Sequence, residues 1–166
     1  MDTIITYWNR LTAALETGGA WLALIPIRLL MGYEFGKAGF TKLNGKNWFG
    51  NVQDNFLFPF SLVPVEVSWF LATWVEILGG IGLALGLATR FWAFSLIILS
   101  INAIAAVHWP AEWNSLSELW QGYSVSNKGF GNYRIPLLFI AMLVPLVFMG
   151  GGKASLDHVL SRVVKR

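Results

Sequence analysis

The sequence predicts an all-α integral membrane protein, a four-helix bundle with interfacial amphipathic helices at both termini. Hydrophobic residues make up 55% of the 166 residues and charged residues only 13%, about half the charged share of a soluble domain. Four apolar stretches are long enough for helices that cross the hydrocarbon core, which takes about 20 residues each. Nine Trp and twelve Phe suit the aromatic belts of membrane interfaces.

The four predicted spans belong to a single domain, residues 1–166, and run at about 19–40, 65–87, 91–109 and 133–150. Before them, apolar side chains recur at helical spacing over residues 2–17, which predicts an amphipathic helix lying at the interface. After them, Ser155 is placed to cap a short amphipathic tail helix. The aromatic connection between the first two spans is too short in its apolar part to cross, so we expect an interfacial or re-entrant segment.

An even number of spans places both termini on one side of the membrane. Six basic residues are expected on that side and five on the other. The first set is Arg10, Arg90, Lys153, Arg162, Lys165 and Arg166, and the second is Lys37, Lys42, Lys46, Lys128 and Arg134. Because positive loops favour the cytoplasm, this bias predicts cytoplasmic termini in the cell (inner or plasma) membrane.

Glycines recur inside the apolar stretches, where each costs about 1 kcal/mol relative to Ala in an ordinary helix. Gly32 and Gly36, and again Gly82 and Gly86, have the small-xxx-small spacing that lets membrane helices approach closely. Together with Gly79 they are predicted to be packing residues. No strand precedes them, so the dinucleotide-binding fingerprint lacks its structural context.

Three polar residues are expected near mid-membrane at one depth: Arg28, Glu76 and Asn102. Counted along the predicted spans, Arg28 lies about 12 Å and the other two about 16 Å from the terminal side. A charge in hydrocarbon costs roughly 2.5–3.5 kcal/mol unless it finds a partner, so we expect Arg28 to pair with Glu76. Two interpretations stay open, a ligand-binding site and a structural clasp that specifies packing.

A second polar group is expected near the opposite surface, and it contains Glu34 and His108. Histidine beside the membrane edge can donate a proton to an entering ligand. The alternative is an interfacial histidine whose partner is water, because a site needs several convergent groups. Glu34 and His108 are therefore candidate ligand-binding residues.

Composition excludes several kinds of chemistry. The chain contains no cysteine, which excludes disulfides, thiolate metal ligands and iron–sulfur ligation. Its two histidines, His108 and His158, lie in different segments, so no metal site is predicted. The basic residues are scattered through an apolar chain, which argues for membrane lipid as a partner and against nucleic acid.

Short motifs along nearly the whole chain give it a resemblance to the DoxX family of small four-helix membrane proteins. Each motif alone is weak, and their order and spacing carry the resemblance. They are Arg28-Leu-Leu-Met-Gly32 with Lys42, Glu76-Ile-Leu-Gly-Gly80, Gly86-Leu-Ala-Thr-Arg90, Gly131-Asn-Tyr133 before Pro136, and Gly151-Gly-Lys-Ala-Ser-Leu-Asp157.

The family takes its name from the small membrane subunit of a thiosulfate:quinone oxidoreductase. The resemblance therefore implies a membrane subunit of a quinone-linked oxidoreductase complex, with a quinone as cofactor and a partner subunit. Arg28 and Glu76 would then hold or protonate the quinone head group. The alternative is a non-enzymatic membrane protein that acts with a partner in binding, assembly or small-solute transport. Whether the chain forms homo-oligomers is left open.

Overall fold

A computed structural model describes residues 2–110, 112–123 and 131–164. All regular elements in these ranges are helical, which confirms the all-α class. The helices are α1 (Asp2–Leu22), α2 (Ile25–Leu43), α3 (Val65–Leu85), α4 (Thr89–Ala103), α5 (Leu116–Gln121), α6 (Arg134–Met149) and α7 (Leu156–Val164). A turn of π-helix, Ile104–His108, extends α4. Three short 3₁₀ turns, Phe49–Asn51, Gln53–Asn55 and Phe60–Leu62, follow α2.

Helices α2, α3, α4 and α6 form the bundle. The most extensive contacts join α2 to α3 and α4 to α6, and α3 packs on α4. Each of the four helices contributes at least one fully buried apolar side chain to a common core. These side chains are Met31, Leu83, Leu96, Leu143 and Leu146.

The helices are of the length and composition that a membrane requires. Within the described residues, three helical segments are long and apolar enough to cross a bilayer: Thr3–Leu43, Val65–Leu85 and Thr89–His108. Helix α6 is also apolar but shorter, with 16 residues or about 24 Å. The chain is a multi-pass membrane protein.

The first bundle helix differs most from the sequence prediction. The predicted span begins near residue 19, but the helix is interrupted at Ala23 and Leu24, and α2 begins at Ile25. Pro26 lies in its first turn, where the missing N–H is not needed. Helix α2 also continues to Leu43, past the predicted end at residue 40. The other three bundle helices lie within a few residues of their predicted ranges.

Helices are present at both termini, as expected. In α7, Val159, Leu160 and Val163 form an exposed apolar stripe, and Ser155 Oγ accepts a hydrogen bond from the His158 N–H at 3.2 Å. The interfacial position of α1 and α7 stays a prediction. The predicted basic residues Lys128, Lys165 and Arg166 lie outside the described residues.

The bundle has two unlike halves. The half beside α1 and α7, here the terminal half, contains the fully buried core around Leu83 and Leu146. The half beside the two long connections, here the loop half, contains a large, partly open cavity. This division determines which predicted polar residues can share a site.

Candidate functional site

The loop half contains a cavity of about 760 Å³, bounded by all four bundle helices and covered by the connection after α2. Ligand pockets in proteins commonly measure about 300–1,000 Å³. Its wall is mainly apolar, with a few polar groups. These include Glu34, Lys42, Glu76, Asn102, His108 and Asn132. In the described residues, no group of three or more His, Asp or Glu is placed to hold a metal ion.

A buried ion pair forms part of this wall. The Lys42 ammonium donates to Glu76 Oε1 at 2.8 Å and to Oε2 at 2.7 Å. The carboxylate side chain is 4% exposed and the lysine 16%. Lys42 lies in the last turn of α2, and helical side chains lean towards the helix N-terminus, so its ammonium reaches back into the bundle. A Cβ on Gly39 would lie 2.9 Å from Ile77 N, which shows how closely the two helices approach here.

The predicted pairing of Arg28 with Glu76 is wrong. Because α2 begins at Ile25, Arg28 lies only about 5 Å inside its end, whereas Glu76 lies about 14 Å from the matching end of α3 at Leu85. The two side chains are therefore at different depths. Glu76 pairs with Lys42 in the loop half, and Arg28 lies in the terminal half.

Arg28 instead binds four main-chain carbonyl groups. Its Nε donates to Leu83 O at 2.9 Å, Nη2 to Ala84 O at 2.9 Å, and Nη1 to Gly151 O and Ala154 O, both at 2.8 Å. Four of the five guanidinium N–H groups are thus used. They satisfy the last carbonyls of α3 and join that helix end to the segment after α6.

Asp157 completes this arrangement from the other side. Its Oδ1 accepts from the Ala88 N–H at 2.7 Å and its Oδ2 from the Thr89 N–H at 2.9 Å, which satisfies free donors at the start of α4. Its own N–H donates to Gly86 O at 2.9 Å. Three of the motifs that carry the family resemblance therefore meet in one clasp, to which Arg28 contributes four hydrogen bonds. Its role in ligand binding stays a prediction.

Asn102 is hydrogen-bonded to neither Arg28 nor Glu76. Its Nδ2 donates to Ile98 O at 3.0 Å, and its Oδ1 accepts from the Leu57 N–H at 3.3 Å. Leu57 belongs to the connection after α2, whose Phe56 and Phe60 line the cavity. Asn102 therefore holds this cover on the cavity.

His108 lies at the end of the π turn, and its Nδ1 is hydrogen-bonded to Asn132 Oδ1. Glu34 lines the same cavity and also a smaller pocket of about 360 Å³ beside it. The structure thus brings Glu34, Glu76, Asn102 and His108 to one cavity, and Arg28 does not line it.

Lys42 was missed as a site residue because the predicted first span ended before it. Helix α2 includes it in its last turn. The family resemblance could have identified it, because Lys42 belongs to the motif that begins at Arg28.

The predicted packing glycines lie at helix contacts. A Cβ on Gly32 would lie 2.8 Å from Gly80 O, and one on Gly80 would lie 2.8 Å from Gly36 N. Gly36 therefore presents its backbone to α3, although its own Cβ would meet nothing within 4 Å. Gly79 faces Leu96 and Gly82 faces Trp92 across the contact of α3 with α4.

Gly86 has a different role. It ends α3 in the left-handed region with φ +68° and lies against the Arg28 guanidinium. Both the backbone and the space demand glycine there.

A family model described as DoxX matches residues 23–109, more than half of the chain. The chain belongs to the DoxX family. The match includes Arg28, Lys42, Glu76, Asn102 and His108. An uncharacterized protein of Haemophilus influenzae is 35% identical over 145 residues, which is 87% of each chain. No solved structure matches this DoxX-family chain.

Proposed function

We propose that this chain is the membrane subunit of a quinone-linked oxidoreductase complex and that its cavity binds the quinone head group. The observation that carries the proposal is the Lys42–Glu76 pair on the wall of an apolar cavity. An ammonium group has three N–H donors. Two are directed at the carboxylate, which leaves one for an oxygen of the bound molecule.

The cavity suits an amphiphilic ligand that arrives through lipid. Apolar side chains such as Phe35, Val75 and Phe139 line the same cavity and would contact a ring and the start of an isoprenoid tail. A buried pair in such surroundings gains little stability over apolar residues. A role of the Lys42–Glu76 pair in orienting a polar head group would explain why charged residues occupy these buried positions.

The electrons in this proposal come from a partner subunit that carries a redox centre. The chain has no cysteine and so cannot hold an iron–sulfur cluster by thiolates. Its contribution would be to bind and orient the quinone next to that partner.

The experiment that tests the proposal uses the full chain purified in mild detergent. Bound quinone is extracted and identified, and binding of a short-chain benzoquinone is followed by quenching of tryptophan fluorescence, since Trp48 lines the cavity. We expect Glu76→Gln and Lys42→Met each to weaken binding about tenfold or more, the effect of one lost charge-assisted hydrogen bond.

Glu66→Gln is the matched control, because Glu66 lies exposed on the same helix and does not line the cavity. Absence of extracted quinone, together with unchanged benzoquinone affinity in both cavity variants, would refute the proposal.

A smaller pocket beside the cavity, with three charged side chains in its wall, favours a second candidate, a non-enzymatic protein that passes a small solute to or from a partner. This pocket is lined by Glu34, Lys37, Thr41 and Lys42, and it shares Glu34 and Lys42 with the cavity. It would give a polar path from the surface to the interior. Membranes that lack the chain but reduce quinone at the normal rate would support this candidate over the first.

We also propose that the chain lies in the inner or plasma membrane with cytoplasmic termini. The support is the excess of basic residues expected on the terminal side, including Arg10, Arg90, Lys153 and Arg162. With this orientation the loop half faces the outer side of the membrane, so a redox partner that reaches the quinone in the cavity would approach the bundle from that side.

A further inference from the structure

We infer that His108 accepts a hydrogen bond from a hydroxyl group of the molecule in the cavity. On the proposed function, the cavity would then bind a hydroxylated, quinol-type head group in preference to the fully oxidised quinone. The inference concerns which hydrogen-bonding pattern the cavity presents, and it rests on the proposed binding site.

The contact with Asn132 is the basis for assigning a tautomer to His108. It joins His108 Nδ1 to the amide oxygen of Asn132, and an amide oxygen only accepts hydrogen bonds. We therefore assign the proton to Nδ1. In a neutral imidazole the other nitrogen, Nε2, is then an acceptor.

The backbone holds the two residues in this relation. The Asn132 N–H donates to His108 O at 3.0 Å, so the pair is joined through both main chain and side chain. Gly131, with φ +79°, leads into this contact, and a Cβ there would collide with the His108 carbonyl. The Gly131-Asn132 sequence thus places the amide oxygen beside the imidazole.

Nε2 is left for a ligand. No residue in the described part of the chain is hydrogen-bonded to it, whereas Nδ1 is occupied. Both His108 and Asn132 line the cavity. The π turn ends at this histidine, with the Trp109 N–H donating to Ile104 O at 2.7 Å, and such turns are frequent at functional sites.

The cavity therefore presents both donor and acceptor groups. Lys42 offers a donor and Glu76 an acceptor from α2 and α3, and His108 offers an acceptor from the end of the π turn after α4. A quinone ring carries only carbonyl acceptors and would leave Nε2 without a donor. A quinol carries hydroxyl groups, each able to donate and accept, and can pair with both kinds of group. A ligand without the hydroxyl donor therefore binds less tightly.

Nuclear magnetic resonance tests the tautomer directly. The chain has two histidines, so ¹⁵N-histidine labelling of the His158→Gln variant leaves His108 as the only labelled histidine. We expect the Nδ1–H tautomer in this variant, and loss of that preference in the additional Asn132→Leu variant. A dominant Nε2–H tautomer with Asn132 intact overturns the inference.

Ligand binding tests the consequence. The probes are a short-chain hydroquinone, its quinone and its dimethyl ether, which has no hydroxyl donor. We expect the unmodified chain to bind the hydroquinone about tenfold more tightly than the other two, the effect of one hydrogen bond. His108→Phe should remove the preference, whereas Glu66→Gln should retain it.

The outcomes separate the two proposals. Equal affinity for all three probes, unchanged in His108→Phe, overturns this inference and leaves the proposed quinone site intact. Failure of all three probes to bind overturns the quinone site and this inference with it.

Discussion

The Lys42 ammonium contacts both carboxylate oxygens of Glu76, at 2.8 and 2.7 Å, and so joins the end of α2 to the middle of α3. Both residues line the large apolar cavity, and Lys42 also lines the smaller pocket beside it. The position of this contact makes Lys42 and Glu76 the residues on which both the packing of the loop half and the proposed ligand site depend.

Breaking this pair from one side should strongly destabilise the protein. Glu76→Gln leaves a largely buried ammonium group without its partner, and we expect a loss of roughly 3 kcal/mol in the free energy of unfolding. The measurement is reversible unfolding in mixed detergent micelles. The double variant with Lys42→Met should recover part of the loss, because both charges are gone. Strictly additive effects would show that the pair is not coupled.

Arg28 should matter for stability and not for ligand affinity. Arg28→Lys keeps the charge but cannot reach four carbonyl groups with a rigid fork, so we expect a loss of roughly 3 kcal/mol in the free energy of unfolding. Benzoquinone affinity of the folded fraction should stay unchanged, since Arg28 does not line the cavity. Arg10→Lys on the exposed face of α1 is the control. A selective fall in affinity would contradict the clasp assignment.

At the glycine contact between α2 and α3, an added methyl group should be tolerated at Gly36 and not at Gly80. In Gly80→Ala the new Cβ would lie 2.7 Å from Gly32 O, which forces the helices apart, and we expect a loss of about 2 kcal/mol or more in stability. Gly36→Ala adds a methyl group that meets nothing within 4 Å. It should be neutral or gain up to about 1 kcal/mol from helix propensity. Thermal unfolding of the two variants compares them, and equal effects would refute the close packing.

Single cysteines can report the proposed orientation, because the chain has none of its own. With cytoplasmic termini, Ser161→Cys should react with a membrane-impermeant maleimide only after permeabilisation of the cells. Asn55→Cys, in the connection after α2, should react in intact cells. Both positions are exposed. The reversed pattern of labelling would place the termini on the outer side.

Some of the candidate site followed from residue type alone. A carboxylate at Glu76 inside an apolar helix had to have a partner, and the partner exists. The identity of that partner did not follow, because the limits of α2 decide it. Helix α2 begins at Ile25 and not at residue 19, and it ends at Leu43 and not at residue 40. The side chain that reaches Glu76 is therefore that of Lys42 and not that of Arg28.

The roles of Asn102 and Asn132 also needed the tertiary structure. Asn102 holds the connection through the Leu57 N–H, and Asn132 orients His108. Each contact joins residues at least 24 positions apart in the chain, and no local periodicity specifies which carbonyl or amide such a side chain will meet.

By itself, the sequence determined the all-α class, the apolar helices and the membrane environment. These follow from composition and from hydrogen bonds between residues that are close in sequence, so they depend only on local properties of the chain. Only the tertiary structure decided which charged groups meet, that Arg28 forms a clasp, and that a cavity lies in the loop half. Those outcomes depend on the relative depth of separate helices. The start of α2 differs from its prediction by six residues, about 9 Å, and this difference is enough to replace one partner by another.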